Sequence, residues 1–246
     1  MNRERFFASL RQRDSGVFGT SLTQGQVAGC EAILDACKGY PLDHTAHVLA
    51  EVYHETGGGM LPVKETVYPY SKDRNPSDAT VIARLDTAWA KGQLTWVRTP
   101  YWRDGGFGRG QIQLTHFEPN YRLAGAMVGV DLLKHPEKAL DLPISARIAA
   151  EGCRTGMFTG KRLSDYDRTG GFDHQSARAI VNGDVGKMGG TIRKYADAFT
   201  AALKAAGYSL SAPPADYVRQ DPVAPVGGIW AALLGILSSI FGKAKS

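Results

Sequence analysis

Residues 43–65, DHTAHVLAEVYHETGGGMLPVKE, decide how the rest of the chain reads. Asp43 is an N-cap residue type, able to accept a hydrogen bond from an orphan N–H of a first helical turn. Ala46, Leu49, Ala50 and Tyr53 recur at helical spacing, which predicts a half-buried helix. Gly57, Gly58 and Gly59 supply the left-handed backbone angles that end one. Glu55 then falls in the last turn, where the negative end of the helix dipole opposes ionisation, as a general acid requires. Glu65 stands just beyond the glycine closure. Two carboxyls on either side of a turn suit glycosidic hydrolysis, in which one protonates the leaving oxygen and the other activates water or attacks the sugar.

A metal is the competing use of this stretch, because His44, His47, Glu51 and His54 cluster on it. The HExxH spacing of zinc peptidases is missing, since Glu55 is followed by Thr-Gly-Gly with no second histidine. No metal and no cofactor are therefore expected. A serine triad is weaker still, as no GxSxG elbow is present.

Around this stretch the chain reads as helical. Helices are predicted over 2–13, from a capped start at Ser21-Leu22-Thr23 followed by Gln26 to about Cys37, and over 77–91 behind a Ser77 cap. Others follow at 116–129, 143–158, 173–182 and 189–206. Between them, residues 65–76 (ETVYPYSKDRNP) form an aromatic, proline-marked loop fit to line a cleft. Residues 99–115 are dense in glycine, with a turn at Gly105-Gly106 and a short strand at Ile112-Gln113-Leu114. The expectation is a mainly α protein with little or no β structure.

The 246 residues carry a net charge of +5, which mildly favours anionic partners. No dense basic run with interleaved aromatics occurs, so nucleic acid is not an expected partner. Cys30 and Cys37 lie about 10 Å apart along one predicted helix, too far for a bridge. Together with Cys153 they are expected to be buried, reduced thiols. The start of the chain lacks the apolar core of a secretory signal, which leads to the expectation of a protein made in the cytoplasm.

Composition divides the chain into a main domain over 1–208, a proline-rich linker over 209–228 and an apolar C-terminal helix over 229–246. The apolar run IWAALLGILSSIF (229–241) is shorter than the ~20 residues of a membrane span. Two uses are open for it: an interfacial helix seeking a membrane surface, with Lys243 and Lys245 at its end, or a tail packed on the domain or used in self-association.

The motifs His54-Glu55-Thr56-Gly57-Gly58, then Phe107-Gly108-Arg109-Gly110-Gln111-Ile112-Gln113-Leu114-Thr115 with Asn120-Tyr121, and later Asn182-Gly183, resemble the family 19 glycoside hydrolases. That family includes plant and bacterial chitinases and many phage endolysins, and the similarity runs over about 20–205. It implies a lysozyme-like, bilobal, α-rich domain. It further implies that Glu55 is the general acid and Glu65 the base of an inverting displacement. Gln113, Thr115 and Asn120 would hold water or an N-acetyl sugar, Asn182 would line the cleft, and Arg193 would orient the acids. His54, Tyr70 and Tyr121 join them as substrate-binding residues. Two departures from the family pattern bear on the site: the extra Gly59, and a longer segment after Thr115 that brings in Glu118 as a rival base. The implied substrate is a β-1,4-linked polymer containing N-acetylglucosamine. Peptidoglycan, attacked by a phage-type endolysin released at lysis, is favoured over chitin. A non-catalytic wall-binding or membrane-permeabilising protein is the alternative from another class.

Overall fold

The computed structural model describes residues 1–209 except Ser71. The expected helix at 229–246, and all of the expected linker but Ser209, lie outside the described residues.

Local signals place several helices where the sequence puts them. Thr23 and Gln26 form a reciprocal capping box that starts α2 (Gln24–Ala36). Ser77 accepts from the Thr80 amide and starts α4 (Asp78–Ala90). Before them comes α1 (Arg3–Leu10), and between them α3 (Leu42–Glu55). The last three are α5 (Arg122–Val128), α6 (Leu142–Thr155) and the long α7 (Val185–Ala205). β structure among the described residues is confined to two antiparallel pairs: β1 (Val63–Lys64) with β2 (Arg109–Gly110), and β3 (Asp167–Arg168) with β4 (Gly171–Phe172).

Four expectations need correction. The N-cap of α3 is Pro41, not Asp43. Proline already holds a helix-compatible φ, so the helix starts two residues sooner and Asp43 lies in its first turn. Ile112-Gln113-Leu114 is no strand: Arg109 and Leu114 exchange both backbone hydrogen bonds, and the residues between them form the turn. Gly110 (φ 92°) and Gln113 (φ 56°) make that turn possible. The expected helix over 173–182 shrinks to a 3₁₀ segment, Ser176–Ile180. The one over 116–129 is split, because Glu118 has extended angles (φ −108°, ψ 125°) inside the wide turn Phe117–Tyr121.

Two apolar cores give the fold two lobes. The larger gathers Phe6, Leu10, Ile33, Leu49, Ile192 and Phe199 from helices, with Tyr121 just before α5 and Phe158 just after α6. The smaller is built within residues 67–107 from Val67, Val81, Leu85, Ala88, Leu94, Trp102 and Phe107. In the larger lobe α3 packs on α7, and α2 on α6. The three cysteines are free and buried, as expected. No helix among the described residues is long and apolar enough to cross a membrane.

The loop that leaves α3 is the joint between the lobes. Gly57 and Gly58 both take positive φ, while Gly59 does not. The loop is then clamped by α2: Gln26 Nε2 donates to the Gly58 carbonyl at 2.9 Å, and Gly29 lies directly against the Met60 carbonyl. From the other side Gln111 Nε2 donates to the same Met60 carbonyl at 2.5 Å. A methyl at position 29 would intrude on that carbonyl. Gly29→Ala is therefore expected to cost about 1–3 kcal/mol, lowering Tm by roughly 5 °C in thermal melts. Gly190→Ala, on α7 with nothing within 4 Å, should hold or raise Tm because alanine is the better helix former.

Candidate active site

Glu55 closes α3 with its side chain in the interior, 1% exposed. It is not alone there. Arg178, on the 3₁₀ segment, sends Nη1 to Glu55 Oε1 at 2.8 Å and to Glu51 Oε2, while its Nε donates to Asp184 Oδ1 at 2.8 Å. One guanidinium thus serves three carboxyls inside the fold. Glu55 Oε2 remains buried without a partner.

Glu65 sits at the seam of the lobes, one residue beyond β1, and is 8% exposed. Its amide donates to the Gly108 carbonyl at 2.7 Å, which continues the β1–β2 pairing. Its side chain is held on both oxygens: Tyr101 Oη donates to Oε1 at 2.5 Å and the Gly108 amide to Oε2 at 2.8 Å. Burial pushes its pKa up, while those two donors and Arg109 pull it down.

The FGRG motif builds the wall behind Glu65. Arg109 is buried and stacks on Phe107 with its guanidinium carbon 3.7 Å from the ring centroid. It donates to the Gly105 carbonyl at 2.7 Å, to Tyr121 Oη at 3.0 Å and to Asp78 Oδ2 at 2.9 Å. Lys64 reaches the other oxygen of Asp78 at 2.7 Å. Gln113 Nε2 donates to the Val63 and Gly110 carbonyls, and its Oε1 faces Gly108 on the side of Glu65.

The remaining predicted residues divide into two groups. Thr115 and Asn182 are buried, and Thr115 Oγ1 and both amide atoms of Asn182 have no partner among the described residues. These are the atoms that a bound water or sugar amide can satisfy. Asn120 donates to the Thr115 carbonyl at 3.0 Å and so shapes that turn. His54 is buried beside Glu55, with burial holding its pKa down. Tyr70 is 45% exposed and lies under the Arg84 guanidinium, 4.1 Å from its ring centroid.

Three placements depart from expectation. Arg193 is 62% exposed and faces Asp197 at 3.6 Å, so the arginine that meets the acids is Arg178. Tyr121 is fully buried with its hydroxyl bonded to the Phe107 carbonyl, and it supports the FGRG wall from inside the fold. Glu118 lies on the surface in a forked pair with Arg122, which holds its pKa down. Tyr101, Arg109 and Arg178 were missed. Arg109 lies within a quoted motif, but no local pattern marks the other two.

The histidines of α3 have structural partners. His44 meets Asp167 at 2.8 Å, and His47 meets the Ala177 carbonyl at 3.2 Å while stacking on His174. Among the described residues no group of three or more His, Cys, Asp or Glu side chains is arranged to hold a metal ion.

No protein-family model matches the chain, and no curated protein matches it. Among solved structures it is similar to chitinase C from Streptomyces griseus HUT6037, at 21% identity over 86% of this chain and 78% of that one, with a TM-score of 0.45. A Glu-to-Gln variant of chitinase C is similar at 17% identity and the same coverage, with a TM-score of 0.43. Likeness of that depth bears on no individual residue of the site.

The buried titratable groups predict how stability follows pH. Burial is the leading cause that holds His44, His47, His54, His116 and His174 below their ordinary 6.5. Unfolding frees them to bind protons, so the stability they contribute is present above pH 6.5 and is lost as pH falls below it. Glu51 has the opposite sign. Burial first, then the nearby Glu55 and Asp184 carboxyls, push it from 4.5 up to about 8 against the pull of Arg178. Its contribution is full below pH 4.5 and is lost as pH rises through about 8. Tm should therefore peak near pH 6.5 and decline on both sides. Glu51→Gln should flatten the alkaline side alone, as read in melts across that range.

Proposed function

We propose that the chain is an inverting glycosidase that cleaves β-1,4 bonds in polymers containing N-acetylglucosamine, with bacterial peptidoglycan as its substrate. The observation that supports it most is the pair of buried carboxyls in contrasting surroundings. Glu55 is bound to a shared guanidinium in the larger lobe, and Glu65 is held by a phenol and an amide at the seam. The quoted sequence motifs support the same reading.

In this mechanism Glu55 gives its proton to the glycosidic oxygen as the bond from that oxygen to C1 breaks. Glu65 takes a proton from a water that attacks C1 from the opposite face, so the product anomer is inverted. Thr115 and the Asn182 amide, whose polar atoms are buried and unpartnered, hold that water and the sugar's N-acetyl group. Arg178 stabilises the Glu55 carboxylate once the proton has left.

Glu55→Gln and Glu65→Gln should each lower hydrolysis of purified peptidoglycan by about 10²–10⁴-fold. Mass spectrometry should find reducing-end muropeptides with the wild type only, and NMR should find the inverted anomer first. Azide should restore turnover to Glu65→Gln and not to Glu55→Gln. Activity confined to chitin oligomers would move the substrate to chitin. An unaffected Glu55→Gln would end the two-carboxylate mechanism.

The net positive charge and the apolar 229–241 segment support a second element of the proposal: an enzyme made in the cytoplasm, released at lysis, and drawn to a membrane surface beside the wall. Removal of 229–246 should abolish binding to anionic vesicles while hydrolysis of purified wall persists. A parallel loss of hydrolysis would assign the segment to the catalytic fold.

A further inference from the structure

Tyr101 stands outside every motif read from the sequence, yet it makes one of the shortest contacts in the site. Its hydroxyl donates to Glu65 Oε1 at 2.5 Å, while the Gly108 amide takes Oε2 at 2.8 Å. The two donors come from different parts of the chain. Gly108 adjoins β2 and is fixed by strand pairing. Tyr101 belongs to the smaller lobe, packed edge-on against Trp102 with ring centroids 5.0 Å apart. On its other side lies His116, with ring centroids 4.6 Å apart. His116 is one of three non-glycine described residues with a positive φ, and its Nε2 has no partner. A backbone held in that region is costly and persists where its surroundings fix it.

We infer that Tyr101 is the positioning residue of Glu65, fixing the carboxyl's rotation so that its open lone pairs face the attacking water. This rests on the two-carboxylate reading above. A carboxylate can accept about four hydrogen bonds, and Tyr101 and Gly108 occupy only one position on each oxygen. The phenol acts purely as a donor: burial and the adjacent Glu65 hold its pKa well above the ordinary value, so it stays protonated. Donation to a carboxylate favours the ionised form that a base needs, and partly offsets the effect of burial.

The other groups facing this pair do not take over that task. Arg109 acts on Glu65 through space: its Nη1 and Nη2 serve Gly105, Tyr121 and Asp78, and its Nε has no hydrogen-bond partner among the described residues. Tyr121 gives its own proton to the Phe107 carbonyl. His116 has Asp104 as its charged neighbour and meets Tyr101 ring to ring.

Tyr101→Phe keeps the ring and its packing while removing the donor. With full-length protein and purified peptidoglycan, the acid limb of the kcat/KM profile should move up by roughly one pH unit, the worth of one charge-assisted hydrogen bond. At the optimum kcat should fall about tenfold with KM little changed, since the lost contact acts on a catalytic group. A profile that superimposes on the wild type would overturn the inference and leave Tyr101 as a packing residue. Glu65→Gln separates this from failure of the underlying mechanism. If it retains activity, the two-carboxylate reading fails; if it is inactive while Tyr101→Phe keeps the wild-type profile, only the positioning role fails. Should Tyr101→Phe not fold, proton NMR of the wild type decides. A slowly exchanging, downfield Tyr101 hydroxyl proton that disappears in Glu65→Gln supports the role, and free exchange with water overturns it.

Discussion

The structure depends first on the Arg178 guanidinium, buried with Glu51, Glu55 and Asp184 around it. A buried charge is costly unless it is paired and hydrogen-bonded, and removing one partner leaves the others stranded. That requirement fixes three pieces of chain relative to one another. They are the C-terminal half of α3, the 3₁₀ segment that carries Arg178, and the start of α7 at Asp184. It also explains why α3 is buried on nearly every side although its sequence is only partly apolar. His44, Thr45, His47, Glu51, His54 and Glu55 are interior along with the alanines and leucines. The helix is not an amphipathic element lying on a core; it is the element around which the larger lobe closes.

A second charged knot governs the seam. Asp78, at the start of α4, takes Lys64 on one oxygen and Arg109 on the other. These contacts bind the smaller lobe to both β1 and β2, which bracket Glu65 and Gly108. All three described non-glycine residues with positive φ, Met60, Gln113 and His116, lie in the segments that flank this seam. Met60 is clamped between α2 and Gln111, and Gln113 by two carbonyls. Such strain persists because neighbouring contacts over-determine it. The seam is rigid where it holds Glu65.

What the sequence made legible follows from how local each signal is. The Thr23–Gln26 box and the Ser77 cap act within three residues, so their helices could be placed from the text alone. The buried pair Glu55 and Glu65 stood out through motif and spacing. Arg178 did not, because it reaches Glu55 across 123 positions of sequence, with no periodicity to link them. Arg193, the arginine first matched to the acids, lies on an exposed side of α7, where charge is simply solvated. Ile112-Gln113-Leu114 read as a strand from its residue types, but the tight Arg109–Leu114 closure overrode that preference. Tyr101 was hidden for the same reason as Arg178: its importance comes from Glu65, 36 positions away.

Counting charge around Arg178 bears on which carboxyl of the cluster holds a proton. One guanidinium faces three carboxyls in a place that excludes water, so full ionisation would leave a buried net charge of two negatives. The cluster relieves this by keeping a proton, and Glu51, pushed up to about 8, is the group that retains it at neutral pH. Glu51 and Glu55 share the same Nη1, so the position of one carboxyl constrains the other. Glu65 shares its donors with no other carboxyl; burial raises its pKa, and one neutral donor on each oxygen favours the ionised form against that rise. The two carboxyls of the proposed mechanism thus stand in unlike surroundings: Glu55 shares a guanidinium with two other carboxyls, while Glu65 is held by a phenol and an amide.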